Sequence, residues 1–165
     1  MTAKPSAPKR RKPPAITLLV EESLWRRRKP ALVLLRRAAR LALAEHRTGR
    51  SPVQLTILLG DDARLKALNR QFRGKNKPTN VLSFPGEGPY LGDIALAYGT
   101  IAREARAQGK SFAAHAAHLA AHGVLHLIGF DHETPEEAEA MESLETALVA
   151  RLGISDPYAP RRKAA

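Results

Sequence analysis

The sequence predicts a single α+β domain, a small mixed β-sheet packed with helices. Three observations carry this expectation. Short runs of β-formers alternate with helix-compatible segments in the first half, and the second half reads as three successive helices. A chain of 165 residues is long enough for one hydrophobic core, and no internal repeat divides it.

The elements follow in order. Residues 16–20 form a short apolar run after two prolines and read as a first strand. Residues 21–29 read as a loop in which RRRK stands beside Trp25. Pro30 opens a helix whose apolar side carries Leu34, Ala38 and Leu41, with Gly49 and Pro52 as its stop. Residues 53–59, VQLTILL, are a second strand. Asp61 or Asp62 caps a helix through LKALNRQF. GKNKP is a tight basic loop, TNVLSFP a strand closed by Pro85, and DIALAY a neighbouring strand after a short connector. A helix from about Thr100 stops at Gly109, and Ser111 caps the next, which runs to Leu127 or Ile128. Thr134, Pro135 and Glu137 make a capping box for a last helix that ends near Gly153.

Composition narrows the function classes. Cysteine is absent, so disulfides and thiolate ligands are excluded, and any transition metal must be held by nitrogen or oxygen. No apolar run reaches membrane-spanning length. Residues 1–50 hold 14 Lys or Arg and 3 acidic residues, which is the whole net charge of +11. A basic half on a neutral half points to a polyanion partner, with nucleic acid ahead of a membrane surface. Residues 1–14, MTAKPSAPKRRKPP, are expected to be a disordered basic extension, residues 15–158 the folded domain, and residues 159–165 a basic tail. The start lacks the apolar core of a signal peptide, so the expected location is the cytoplasm.

The chemistry concentrates in residues 121–132, AHGVLHLIGFDH. His118, His122 and His126 recur every four residues and share one helical face. Gly129 lets the chain turn back, so that His132 approaches His122 and His126. Three neutral imidazoles hold zinc well and leave a fourth position open, unless Asp131 fills it. The spacing is that of the long zincin motif, with one element missing. Gly123 stands where that motif has its general-base glutamate. Peptide hydrolysis therefore loses its proton acceptor, and the positive charge favours a phosphodiester substrate.

HLAAHGVLHLIGFDH, residues 118–132, resembles the signature of the YbeY family, the single-strand-specific endoribonucleases of bacterial rRNA maturation. LNRQFRGKNKPTNVLSFP (residues 68–85), LGDIA, EEAEAMESLE (residues 136–145) and SDPY (residues 155–158) are similar to the family in the same order. The resemblance covers residues 53–158 firmly. It implies one Zn²⁺ held by His122, His126 and His132, and an arginine, Arg73, that acts on substrate. His118 matches a further histidine of the pattern, one turn before the first ligand. The implied activity is 16S rRNA 3′-end processing and quality control of defective ribosomes, in the cytoplasm. The implied partners are RNA and the 30S subunit or 70S ribosome, with ribosomal proteins or a ribosome-associated GTPase. Two departures stand out: Asn76 where Asp is common, and the basic N-terminal extension.

Residue types suggest roles. Arg73 can give a bidentate pair to phosphate, and Lys75 and Lys77 can grip flanking phosphates. His118 either relays a proton or packs behind the ligands. The nucleophile is zinc-activated water or the RNA 2′-hydroxyl. Asp131 orients a ligand or caps the turn; Asn80 and Ser83 line the cleft or are ordinary strand residues; Asp93 braces a His or Arg. Phe72, Phe84 and Phe130 are expected in the core, which leaves recognition to backbone and shape. The competing readings are a metallohydrolase on a non-RNA substrate and a zinc-containing assembly factor without catalysis.

Overall fold

The computed structural model describes residues 14–46 and 52–160. The expected extension up to residue 13, the helix stop at Gly49 and tail residues 161–165 lie outside the described residues. The sheet holds four strands, β1 (Ala15–Val20), β2 (Gln54–Gly60), β3 (Val81–Pro85) and β4 (Tyr90–Ala97). Their order is β1-β2-β4-β3. β2 pairs in parallel with β1 and β4, and only β3 runs antiparallel, on β4. β3 is therefore an edge strand, which leaves one side of it open to a cleft.

Among the described residues, five α-helices pack around the sheet: α1 (Lys29–Leu43), α2 (Asp62–Arg73), α3 (Tyr98–Gln108), α4 (Phe112–Leu127) and α5 (Pro135–Ala150). α1 and α4 cover one sheet face. Alternate residues Leu55, Ile57 and Leu59 of β2, with Ile94 and Leu96 of β4, meet them in the main core. α1 buries Ala31, Leu35, Ala38, Ala39, Ala42 and Leu43. Ala38 is thus central, as its spacing predicts, whereas Leu34 and Leu41 pack at the margins of the core. α4 answers with Ala116, Ala117, Ala120 and Ala121, all buried. Small side chains on both helices let their backbones approach closely. α2 covers the other face through Leu65 and Leu68, against Leu58, Leu82, Ala95 and Ala97.

Two connections differ from expectation. Residues 21–29 are not a plain loop: Ser23–Arg27 form a 3₁₀ turn capped by the Glu22 carboxylate. Trp25 is fully buried there, donates Nε1–H to the Gly60 carbonyl at 3.0 Å and packs on Tyr98 and Phe112. Strand β4 begins at Tyr90 and hands Tyr98 to α3, because the Tyr98 ring belongs to that aromatic cluster. The caps fall where the sequence puts them. Asp61 accepts from Arg64 N, Ser111 from Ala114 N, and Thr134 with Glu137 closes a reciprocal capping box.

Candidate metal centre

α4 is the scaffold of the site. Its C-terminal turn exits through Ile128 to Gly129, whose φ of 106° lies in the left-handed region that favours glycine. That turn brings His132 back over the helix end, where the Asp131 carboxylate accepts from His132 N at 2.8 Å. Asp131 thus ties down the His132 amide and also lines the cleft. One nitrogen from each of His122, His126 and His132 lies within 4.8 Å of the others. His122 Nε2 and His126 Nε2 are 3.1 Å apart. Two ligands of a tetrahedral zinc at about 2.0–2.1 Å sit roughly 3.3–3.4 Å from each other, so the pair is close to ligating geometry. Burial, with the neighbouring His122 and His132, holds the His126 pKa below its ordinary value, which keeps its ring neutral and able to ligate.

Behind the three candidate ligands lies a carboxylate. Glu145 of α5 is 0 % exposed. His122 Nδ1 is 2.6 Å from its Oε1, and His118 Nε2 is 2.6 Å from its Oε2. The Tyr158 hydroxyl donates to Oε2 as well. Burial alone would raise the Glu145 pKa, but the hydrogen bonds from His118, His122 and Tyr158 and the His122 charge outweigh it and bring it down to about 2. Burial, with the adjoining carboxylate, pushes the Tyr158 hydroxyl up, so it stays a donor.

A cleft of about 620 Å³ opens in front of the histidines. Arg73, the last residue of α2, lines it together with His122, His126 and His132, and so do Asn80 and Ser83 of the β3 side. Among the described residues, no ion pair engages Arg73. Ser83 Oγ donates to the Gly123 carbonyl at 3.1 Å, tying β3 to α4. Lys75 and Lys77 are exposed in the loop after α2, outside the cleft lining. That loop is anchored by the buried Asn69, whose amide donates to Lys77 O at 2.9 Å. His118 also stands apart from the cleft. It is 7 % exposed, held on Glu145, and lines a second cavity of about 690 Å³.

Gly123 explains the missing glutamate. A Cβ at this position would lie 2.9 Å from Ile94 Cγ2 of β4. Helix and sheet touch there, and any side chain would have to displace Ile94.

Residues 28–153 match the family model of Endoribonuclease YbeY. The chain belongs to the YbeY family. A Rhodopseudomonas palustris (strain BisA53) Endoribonuclease YbeY is 45 % identical over 162 residues, spanning 92 % of this chain and 94 % of the relative. The Nitrobacter hamburgensis Endoribonuclease YbeY is 47 % identical over 163 residues, spanning 92 % and 86 %. The solution structure of TM1509 from Thermotoga maritima superposes with a TM-score of 0.56 at 25 % identity, over 88 % of this chain and 99 % of that one.

Sequence reasoning missed several residues of the site and misplaced others. Glu145 and Tyr158 fell within stretches similar to the YbeY family without any role attached, since nothing local separates Glu145 from the exposed Glu136, Glu137, Glu139 and Glu142 beside it. Glu104 went unnoticed: it sits 2.7 Å from His115 Nε2 and accepts from the Asn80 amide at 3.0 Å. Phe72 is not a core residue. It is 59 % exposed, lines the cleft and meets Phe84 with ring centroids 5.0 Å apart. Among the described residues, Asp93 braces neither a histidine nor an arginine; it accepts from the Tyr90 hydroxyl.

Proposed function

We propose that this protein is a zinc-dependent endoribonuclease that cuts single-stranded RNA, acting in 16S rRNA 3′-end maturation and ribosome quality control. The observation that carries the reading is the convergence of three imidazole nitrogens within 4.8 Å, in one cleft with Arg73. Residues 15–158 form the working hydrolase domain, and the charge of residues 1–50 serves a ribosomal RNA partner. The relatives' name, Endoribonuclease YbeY, supports the substrate class. No helix among the described residues is long and apolar enough to cross a membrane, which suits a cytoplasmic, ribosome-associated enzyme.

The donor set fits the metal. His122 presents Nε2 because its Nδ1 is occupied by Glu145, and the three ligands come from one helix and the turn that follows it. Zinc held by His122, His126 and His132 would supply Lewis acidity toward a phosphoryl oxygen and a water of lowered pKa. The protein's own groups do the rest. Arg73 gives paired N–H donors to the scissile phosphate and stabilises its developing charge. Lys75 and Lys77 hold phosphates beyond the cleft mouth. The exposed Phe72 ring, backed by Phe84, offers a face on which one unpaired base stacks, so recognition extends past the sugar-phosphate chain. His118, held on Glu145 away from the cleft, supports the ligands from behind and does not carry a proton to substrate. Gly123 leaves no room for the zincin base, which weighs against a peptide substrate.

The test is cleavage of single-stranded, duplex and peptide substrates by zinc-loaded protein, beside Arg73→Ala. Arg73→Ala should keep its zinc and lose about 10²–10³-fold in kcat. Phe72→Ala should raise KM on single-stranded RNA by the worth of one stacked base, about 1–3 kcal/mol, with little change in kcat. Zinc-loaded wild type that turns over no RNA would give way to the assembly-factor reading. Turnover of a peptide or small phosphoester instead would move the chemistry to another substrate.

A further inference from the structure

A fully buried carboxylate needs a reason. Glu145 sits on a helix whose neighbouring acids are solvated, and an apolar side chain of its size would serve packing at lower desolvation cost. Its oxygens are instead divided with care. Among the described residues, Oε1 takes only His122 Nδ1, while Oε2 takes His118 and the Tyr158 hydroxyl. A carboxylate only accepts, so the His122 proton resides on Nδ1 and the Nε2 lone pair is left to face His126 Nε2.

Tyr158 is delivered to this position by a strap that follows α5. Lys110 Nζ donates to the Pro157 carbonyl at 2.7 Å. Asp156 Oδ1 accepts from Tyr158 N at 2.8 Å and from Thr146 Oγ1 at 3.3 Å, pinning the strap to α5. The Tyr158 ring then stands edge-on to His118, with centroids 5.4 Å apart at 87°, and its hydroxyl reaches Glu145. The contacts form a closed set around one carboxylate, with a single exit toward the cleft, through His122.

We infer that Glu145 and Tyr158 are positioning residues for the metal centre. Glu145 selects the His122 tautomer and fixes its ring, and the strap residue Tyr158 holds Glu145 in that orientation. The inference rests on the reading of His122, His126 and His132 as metal ligands. It assigns the segment around SDPY to metal affinity rather than to RNA contact.

The test measures zinc without RNA. Competition with a chromophoric chelator should give Glu145→Gln a zinc Kd about 10–100-fold above wild type, since an amide can donate to His122 and allow the wrong tautomer. Tyr158→Phe keeps the ring and loses one hydrogen bond to a charged group, so its Kd should rise about 3–10-fold. Nitrogen-15 NMR of zinc-free wild type should find His122 protonated on Nδ1, with a mixture in Glu145→Gln. Wild-type zinc affinity in both folded variants, or His122 protonated on Nε2 in the wild type, overturns the inference. Should Glu145→Gln fail to fold, Tyr158→Phe and the wild-type tautomer decide. Tight zinc uptake without RNA cleavage would leave the clamp standing and remove the proposed function; a wild type that takes up no zinc removes both.

Discussion

Helix α4 carries four histidines on one stripe, His115, His118, His122 and His126, and its two ends treat them differently. At the N-terminal end, His115 and His118 are buried and give Nε2 to a carboxylate, Glu104 or Glu145. Toward the C-terminal end, His122 gives Nδ1 to Glu145, and its Nε2 meets that of His126 in the cleft. Residue type is the same in both halves, and the spacings, three and four residues, both keep neighbours on one face. What separates a supporting histidine from a candidate ligand is which ring nitrogen the carboxylate occupies, and whether the other faces a cleft.

Breaking that contrast at its strongest point should give the largest effect. His126→Ala should weaken zinc binding by more than about 100-fold, beyond the usual loss for a supporting residue, and abolish cleavage. His115→Asn, at the far end of the same stripe, should keep zinc uptake in the same chelator assay. A smaller effect comes from protons. Burial lowers the pKa of both His115 and His126 from 6.5 despite Glu104 beside the first, so both bind protons more weakly folded than unfolded. The unfolded chain then takes up more protons as pH falls through 6.5, and stability of the zinc-free protein must fall with it. A second loss follows from 4.5 toward about 2, where Glu145 is protonated in the unfolded chain first. Chemical denaturation of zinc-free protein between about pH 7.5 and about pH 5 should show the first decline; a flat profile would mean that the two histidines titrate normally. The smallest change is expected from Glu104→Gln, which keeps the contact to Asn80 but softens that to His115. It should cost about 1 kcal/mol in a denaturant titration and leave zinc affinity as in wild type.

Much of this arrangement was readable from local pattern. Capping residues, glycine stops and apolar periodicity gave nine elements in the right order, since each signal acts within a few residues. The histidine spacing placed three rings together for the same reason: two sit one turn apart, and Gly129 makes the return. What stayed hidden depends on distant chain. Trp25 is buried because Gly60 offers a carbonyl, and that contact spans 35 residues. Glu145 reads as one more acid on an acidic helix until α5 is laid against α4. Phe72 has the composition of a core residue, and only the open edge of β3 shows that its ring faces outward.

The contact between Gly123 and Ile94 sets a limit on what this scaffold can become. An acid placed after the first candidate ligand would force the buried Ile94 or the helix itself to shift before it reached any substrate. An engineer seeking peptidase chemistry here would have to carve space at position 94 first and accept a weakened interior. Packing density, fixed far below the surface, thus narrows the reactions open to the three-histidine site above it.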